Sequence, residues 1–283
     1  MSDEPTPQPE TQIPPAAYFL SLSIANFRCF KEEQTLDLSD GNGKPAMWTI
    51  LLGENGTGKT SLLQNACTYA GILDIPSAIR ESITARNSAA KMYCDERTFL
   101  WEIGSMPLFN SYDCMLIIGY GPARMNHDQE NHWLSHTTNS PTLILENAHL
   151  RDVNSMLLKM DHARRINPSD PHVRSVDAII SSITSMLPNI EKNRFNTDKY
   201  GDAVFELKSP YGWVTINDLS LGYKSSVNWI SDLIRIMFNY YPNSPNPLAE
   251  PAVCLVDEID LHMHPKWQRE LIKMLSEMFP KTQ

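Results

Sequence analysis

Residues 18–27, YFLSLSIANF, alternate apolar and polar side chains, which predicts a strand with one face on a core. QTLDLS (34–39) alternates in the same way, and the two pair as a hairpin ahead of the loop residues GNGKP. MWTILLG (47–53) is a short apolar run closed by glycine, the pattern of a buried strand. From Lys59 to about Ala70 the apolar spacing turns helical, with Leu62, Leu63, Ala66, Cys67 and Ala70 on one stripe. Residues 72–97 read as weakly patterned helix. TFLWEI and CMLIIGYG read as strands, and 126–142 as a polar loop. Helices follow near 146–165 and 172–188, separated by NPSDP. AVFEL and GWVTI flank KSPY as a second hairpin. The strongest periodicity runs from Gly222 to Tyr241, with Val227, Ile230, Leu233, Ile234, Met237, Phe238 and Tyr241 on one side. PNSPNP breaks it. AVCLV then predicts a strand, and Pro265 opens a last helix reaching about Phe279. Residues 1–17, with five prolines, read as a disordered tail. No internal repeat and no long heptad run is present.

Chemistry enters at the end of the second apolar run. Gly53, Glu54, Asn55, Gly56, Thr57, Gly58, Lys59, Thr60 and Ser61 fit the pattern G-x-x-x-x-G-K-[ST] between a strand and a helix. Glycines there let backbone N–H groups and the helix N-terminus wrap a phosphate chain. Lys59 then reaches the β- and γ-phosphates, and the Thr60 hydroxyl ligates Mg²⁺. The second cluster is VDEIDLHMHP (256–265), behind the apolar run AVCLV. Asp257 stands at the C-terminal end of that strand, the edge where α/β sheets place ligands, and can complete the Mg²⁺ shell. Glu258 follows, positioned to orient and deprotonate an attacking water. His262 and His264 offer a competing transition-metal reading, but such a site wants three or four ligands and no Cys/His cluster stands nearby in sequence. They serve better as residues of the turn before Pro265. The third element is Leu219-Ser220-x-Gly222, where Ser220 caps the best helix of the chain and its hydroxyl with the helix amides forms a second anion site.

The three elements, in this order, resemble the ATP-binding-cassette class of P-loop ATPases. LSLSIANFRCFKEEQTLDLS upstream of the phosphate loop, with VDEIDLHMHP, is similar to the RecF/SMC/OLD-like members, a group classed broadly with AAA-family ATP-binding proteins. The resemblance implies an α/β P-loop NTPase with a mainly parallel sheet flanked by helices. An N-terminal antiparallel β portion and a helical insertion over about 72–190 belong to the same expectation, with residues 18–283 forming the ATPase domain. It implies a homodimer or higher oligomer formed head to tail on ATP, in which Ser220 and Gly222 act on the nucleotide of the opposite subunit. Asp260 then lies in the loop that meets the partner subunit. Arg28, and Tyr120 and Arg124 of GYGPAR, lie near the nucleotide. The family continues with a strand ending in a γ-phosphate-sensing histidine, between the phosphate-loop strand and the acidic strand. This chain reaches FPKTQ before it, which predicts an incomplete core. Tyr223 also departs from the polar residue many relatives place after the signature glycine.

The remaining numbers narrow the setting. A net charge of −9 over 283 residues argues against a broadly basic nucleic-acid surface, so DNA is a partner the charge does not support. Arg164 and Arg165 fit a solvated helix face. The five cysteines are scattered, which suits thiols in a cytoplasmic protein. No apolar run is long enough to span a membrane, and MSDEPTPQPE lacks the features of a secretory signal. The resemblance implies an Mg·ATP-hydrolysing protein in DNA maintenance or anti-phage defence, coupled to an effector protein or C-terminal effector domain. The alternatives are a non-hydrolysing ATP-sensing assembly module and, with less support, the energy subunit of a transporter, since transporter cassettes usually lack the NFRCF phrase. A GTPase lacks its N-K-x-D motif here.

Overall fold

The computed structural model describes residues 16–70, 87–94, 97–102, 116–122, 141–145, 148–168, 173–187, 189–263 and 265–283. Strand β1 (Ala17–Ala25) forms the predicted hairpin with β2 (Gln34–Asp37), with Leu22 opposite Leu36. On its other side β1 pairs antiparallel with β3 (Asn87–Cys94), which pairs with β4 (Arg97–Glu102), giving the order β2-β1-β3-β4. β3 corrects the helical reading of 72–97. Its apolar residues Ala90 and Met92 are buried at every second position, a period set by the sheet and too short to read against the polar neighbours. Residues 71–86 lie outside the described set. The insertion expected as helical over 72–190 therefore contains strands as well as helices. Ala17, assigned by composition to the disordered tail, is buried at the start of β1. Residues 1–15 of that tail lie outside the described residues.

Helix α1 (Lys59–Cys67) follows the phosphate loop and buries Ala66 and Cys67. β5 (Ile117–Tyr120) and β9 (Val253–Val256) form a parallel pair, Ile117 opposite Val253 and Tyr120 opposite Val256. Among the described residues this is the only parallel strand pair, so the mainly parallel sheet of the expectation is seen only in part. A short helix α2 (Pro141–Ile144) packs beside β5 where the sequence predicts a loop; residues 123–140, with Arg124, lie outside the described set. α3 (Val153–Ile166) and α4 (Ser175–Met186) match the two predicted helices. β6 (Lys192–Thr197), β7 (Ala203–Ser209) and β8 (Gly212–Thr215) form an antiparallel sheet, of which the sequence predicts β7 and β8 alone. β6 carries a single large apolar residue, Phe195, so its sequence holds almost no signal. α3 packs on β7, and against α3 and α4 lies α5 (Leu221–Tyr240), buried along most of its length, with Trp229, Ile230 and Ile234 in the larger core. The last helix, α6 (Pro265–Met278), turns Leu271 and Leu275 inward.

Residues 47–53, predicted as a buried strand, are paired by no ladder among the described residues. Ile50 and Leu52 are 60% and 90% exposed. Trp48 anchors this stretch by donating to the Ser276 hydroxyl of α6 at 2.7 Å. Between it and β9 runs an apolar corridor of about 540 Å³, walled by Ile50, Val253, Leu255, Leu271 and Leu275. The far end of β9 is already bridged: Gln283 O accepts from Cys254 N and Gln283 N donates to Ala252 O. The Gln283 side chain also takes both backbone groups of Phe19, which ties β9 to β1.

Candidate functional site

The phosphate loop is shaped by its glycines. Gly56 and Gly58 take φ of 82° and 97°, a region that L side chains rarely occupy. A Cβ on Gly58 would also strike the Cys29 sulfur and the Phe30 ring. The NFRCF turn, closed by mutual backbone hydrogen bonds between Phe27 and Phe30, is thus the seat of the loop. The motif reading passes over Cys29 and Phe30; the signal for them is a second unusual motif directly upstream of the first. Lys59 Nζ donates to the carbonyls of Gly53 (2.6 Å) and Glu54 (2.8 Å), which closes the loop on itself. Thr57 adds a bond from its hydroxyl to Glu54 O.

Tertiary structure brings the second element to the first. Thr60 Oγ1 donates to Asp257 Oδ2 at 2.5 Å across 197 residues of chain. Asp257 is 5% exposed at the end of β9, and its N–H donates to Tyr120 O of β5 at 2.8 Å. Tyr120 therefore reaches the site through its backbone, while its side chain is buried against α5. Thr60 Oγ1 and Asp257 Oδ2 are the two side-chain oxygens here that would hold an Mg²⁺ ion. One hydroxyl, one carboxylate and solvent suit Mg²⁺, which keeps several waters. Among the described residues no group of three or more His, Cys, Asp and Glu gathers for a transition metal. Glu258 is exposed and left-handed, with φ of 50°, a strained setting for a glutamate. Asp260 and His262 are exposed on the turn that follows, and His264 lies outside the described residues.

Arg28 sits on the outer face of α1, donating to the Ser61 hydroxyl (2.9 Å) and to Gln64 Oε1 (2.7 Å). This places it next to the loop and engaged with the helix. Ser220 is exposed at the N-cap of α5, but its side chain makes no capping bond, contrary to the expected cap. The turn before it is held elsewhere. The Asp218 carboxylate accepts from Thr215 N and Oγ1, both at 2.8 Å, in a capping box. These bonds, the backbone one first, hold its carboxyl below the usual range. Asp218→Ala is expected to lower stability by about 1 kcal/mol, seen as a lower Tm. Because the folded pKa is depressed, that contribution is complete above the unfolded carboxyl pKa of about 3.9 and fades as pH falls through the folded value. The Tm gap between wild type and variant should therefore close only in acid.

Gly222 is buried against the turn after β9, where a Cβ would overlap the His262 carbonyl. The start of α5 thus rests directly on the acidic segment. Tyr223, the departure noted in the sequence, packs edge-on against Trp267 of α6 with ring centroids 5.0 Å apart. Gly222→Ala is expected to cost about 1–3 kcal/mol through overpacking against backbone, read as a fall in Tm without nucleotide.

Residues 119–283 match the AAA-domain family whose description links it to the AbiEii toxin and type IV toxin–antitoxin systems. The chain belongs to the AAA-domain family. Residues 21–86 match a further AAA-domain profile, so both the phosphate loop and the acidic strand fall inside matched segments. Septu protein PtuA of Bacillus mycoides (strain KBAB4) is 26% identical over 282 residues, covering 93% of this chain and 36% of the relative. The chain thus spans about a third of that relative's length. Retron Vc95 probable ATPase of Vibrio cholerae serotype O1 biovar El Tor is 40% identical over 70 residues, 25% of this chain and 14% of its own. Retron Ec83 probable ATPase of Escherichia coli matches at the same identity over 25% of this chain and 13% of its own. Together these place the AAA-domain chain among P-loop ATPases of RecF/SMC/OLD-like type. Membership implies a nucleotide site, usually with Mg²⁺. Among the described residues no helix is long and apolar enough to cross a membrane.

Proposed function

We propose that this chain binds Mg·ATP at Gly53–Ser61 and Asp257, hydrolyses it with Glu258 as the base, and dimerises head to tail while ATP is bound. The Thr60–Asp257 hydrogen bond carries the reading, since it joins two distant motifs into one site with the donor set of an Mg²⁺ shell. Mg²⁺, when bound, neutralises charge on the β- and γ-phosphate oxygens. Thr60 and Asp257 would hold it. Lys59 gives up the Gly53 and Glu54 carbonyls and turns to the phosphates, while Glu258 takes the proton of the attacking water.

Ser220 and Gly222, with Asp260, face the partner subunit in this reading, and Arg28 steadies the first turn of α1 beside the nucleotide. The exposure of Ser220, its hydroxyl uncommitted to a cap, supports a contact made in trans. Gly222 supports it less directly, because its burial against His262 explains the glycine within one chain. The apolar corridor beside β9 takes the core strand that the family resemblance implies. A cytoplasmic setting and an effector partner complete the proposal. The Septu and retron names among the relatives favour anti-phage defence over DNA maintenance. The test is phosphate release from Mg·ATP by the purified chain. Release above a protein-free control, lost on chelating Mg²⁺, is expected. ATP binding without release favours the sensing module instead.

A further inference from the structure

Tyr120 lies at the junction of the acidic strand and the helix that begins at the signature. Its carbonyl accepts the Asp257 N–H at 2.8 Å, so the end of β5 sets the height of the Mg²⁺ carboxylate. Its side chain is fully buried and reaches the other way. The phenol donates to Asp232 Oδ2 at 3.1 Å, and Asp232 Oδ1 accepts from Arg235 Nη2 at 2.6 Å and Nε at 3.1 Å. Asp232 and Arg235 both belong to α5, whose start carries Ser220 and Gly222. The Tyr120 ring also packs on Trp229 of the same helix, centroids 5.5 Å apart. A buried ion pair is weak evidence for stability, since desolvation offsets most of the attraction. Burial and the neighbouring carboxylate push the phenol far up, which keeps it a donor.

We propose that Tyr120, Asp232 and Arg235 are positioning residues that lock the register between Asp257 and the signature end of α5, so that phosphate-site occupancy and the partner-facing surface move together. The inference rests on the ATP reading above. None of the three touches the phosphate loop; each acts through the Asp257 backbone or through α5.

Tyr120→Phe removes only the hydroxyl, and Asp232→Asn keeps the shape. In both, Mg·ATP affinity is expected to change less than about 2-fold, while kcat and ATP-driven self-association each fall about 10-fold or more, the effect of losing the Tyr120 hydrogen bond in one variant and the Asp232 charge that pairs with Arg235 in the other. Affinity and kcat falling together, or a lower Tm with kcat and self-association unchanged, overturns the proposal. Amide exchange without nucleotide separates this from a failure of the ATP reading. Asp232→Asn should speed exchange at the Asp257 amide about 10-fold beyond a Phe205→Leu control of equal Tm. Equal exchange in the two overturns the coupling whether or not the chain hydrolyses ATP.

Discussion

Glu258→Gln is expected to bind Mg·ATP as tightly as wild type and to release phosphate about 10²–10⁴-fold more slowly, the range for losing a general base. Glutamine keeps the length of glutamate and an accepting oxygen but cannot take a proton from water. It also keeps the left-handed backbone at this position, so the strain at φ 50° is common to both proteins. The Thr60–Asp257 pair is untouched. With ATP bound and hydrolysis blocked, the dimer should accumulate. Phosphate release and light scattering with ATP and with ADP measure both effects. Wild-type turnover in this variant would remove Glu258 from the mechanism. ATP-stabilised dimers alongside that turnover would move the base elsewhere while keeping the site.

Lys59→Ala should go further and weaken binding itself. Its ammonium makes two hydrogen bonds to loop carbonyls, and those same donors are the ones a polyphosphate would take. Removing one partner of a hydrogen-bonded charge pair costs about 2–5 kcal/mol, so ATP affinity should fall about 30-fold or more. Phosphate release should drop to the protein-free level. Calorimetry with Mg·ATP measures the first and a release assay the second. Lys59 is half-buried at the end of the loop and, among the described residues, bonds to loop carbonyls alone, so the Tm without nucleotide should move little. A variant that keeps its affinity would show that the loop holds no phosphate.

Much of this site is readable in the sequence because its chemistry is local. Gly53 to Ser61 is one continuous loop, and Asp257–Glu258 follow one apolar strand. What the sequence does not show is long-range. The Thr60–Asp257 contact, the seat that Cys29 and Phe30 make for Gly58, and the contact of Gly222 with His262 all join segments far apart in the chain. Helices with strong periodicity, such as α5, fall close to their predicted bounds. β3 and β6 escape prediction because strand pairing, not their own composition, makes them strands. Ser220 has the residue type of a cap for α5, yet the capping box one turn earlier, at Thr215 and Asp218, already fixes the chain there.

The corridor beside β9 has a consequence for how copies of the chain meet in solution. Trp48, Ile50 and Leu52 present apolar surface beside a sheet edge, a surface on which chains stick to one another. The opposing force is the net charge of −9, which keeps copies apart. Salt screens that repulsion over about 8–10 Å at ordinary ionic strength and leaves the apolar attraction in place. Wherever this surface stays open, raising salt is therefore expected to favour association through it, whereas it loosens contacts made by surface ion pairs. The two kinds of association respond to salt in opposite directions.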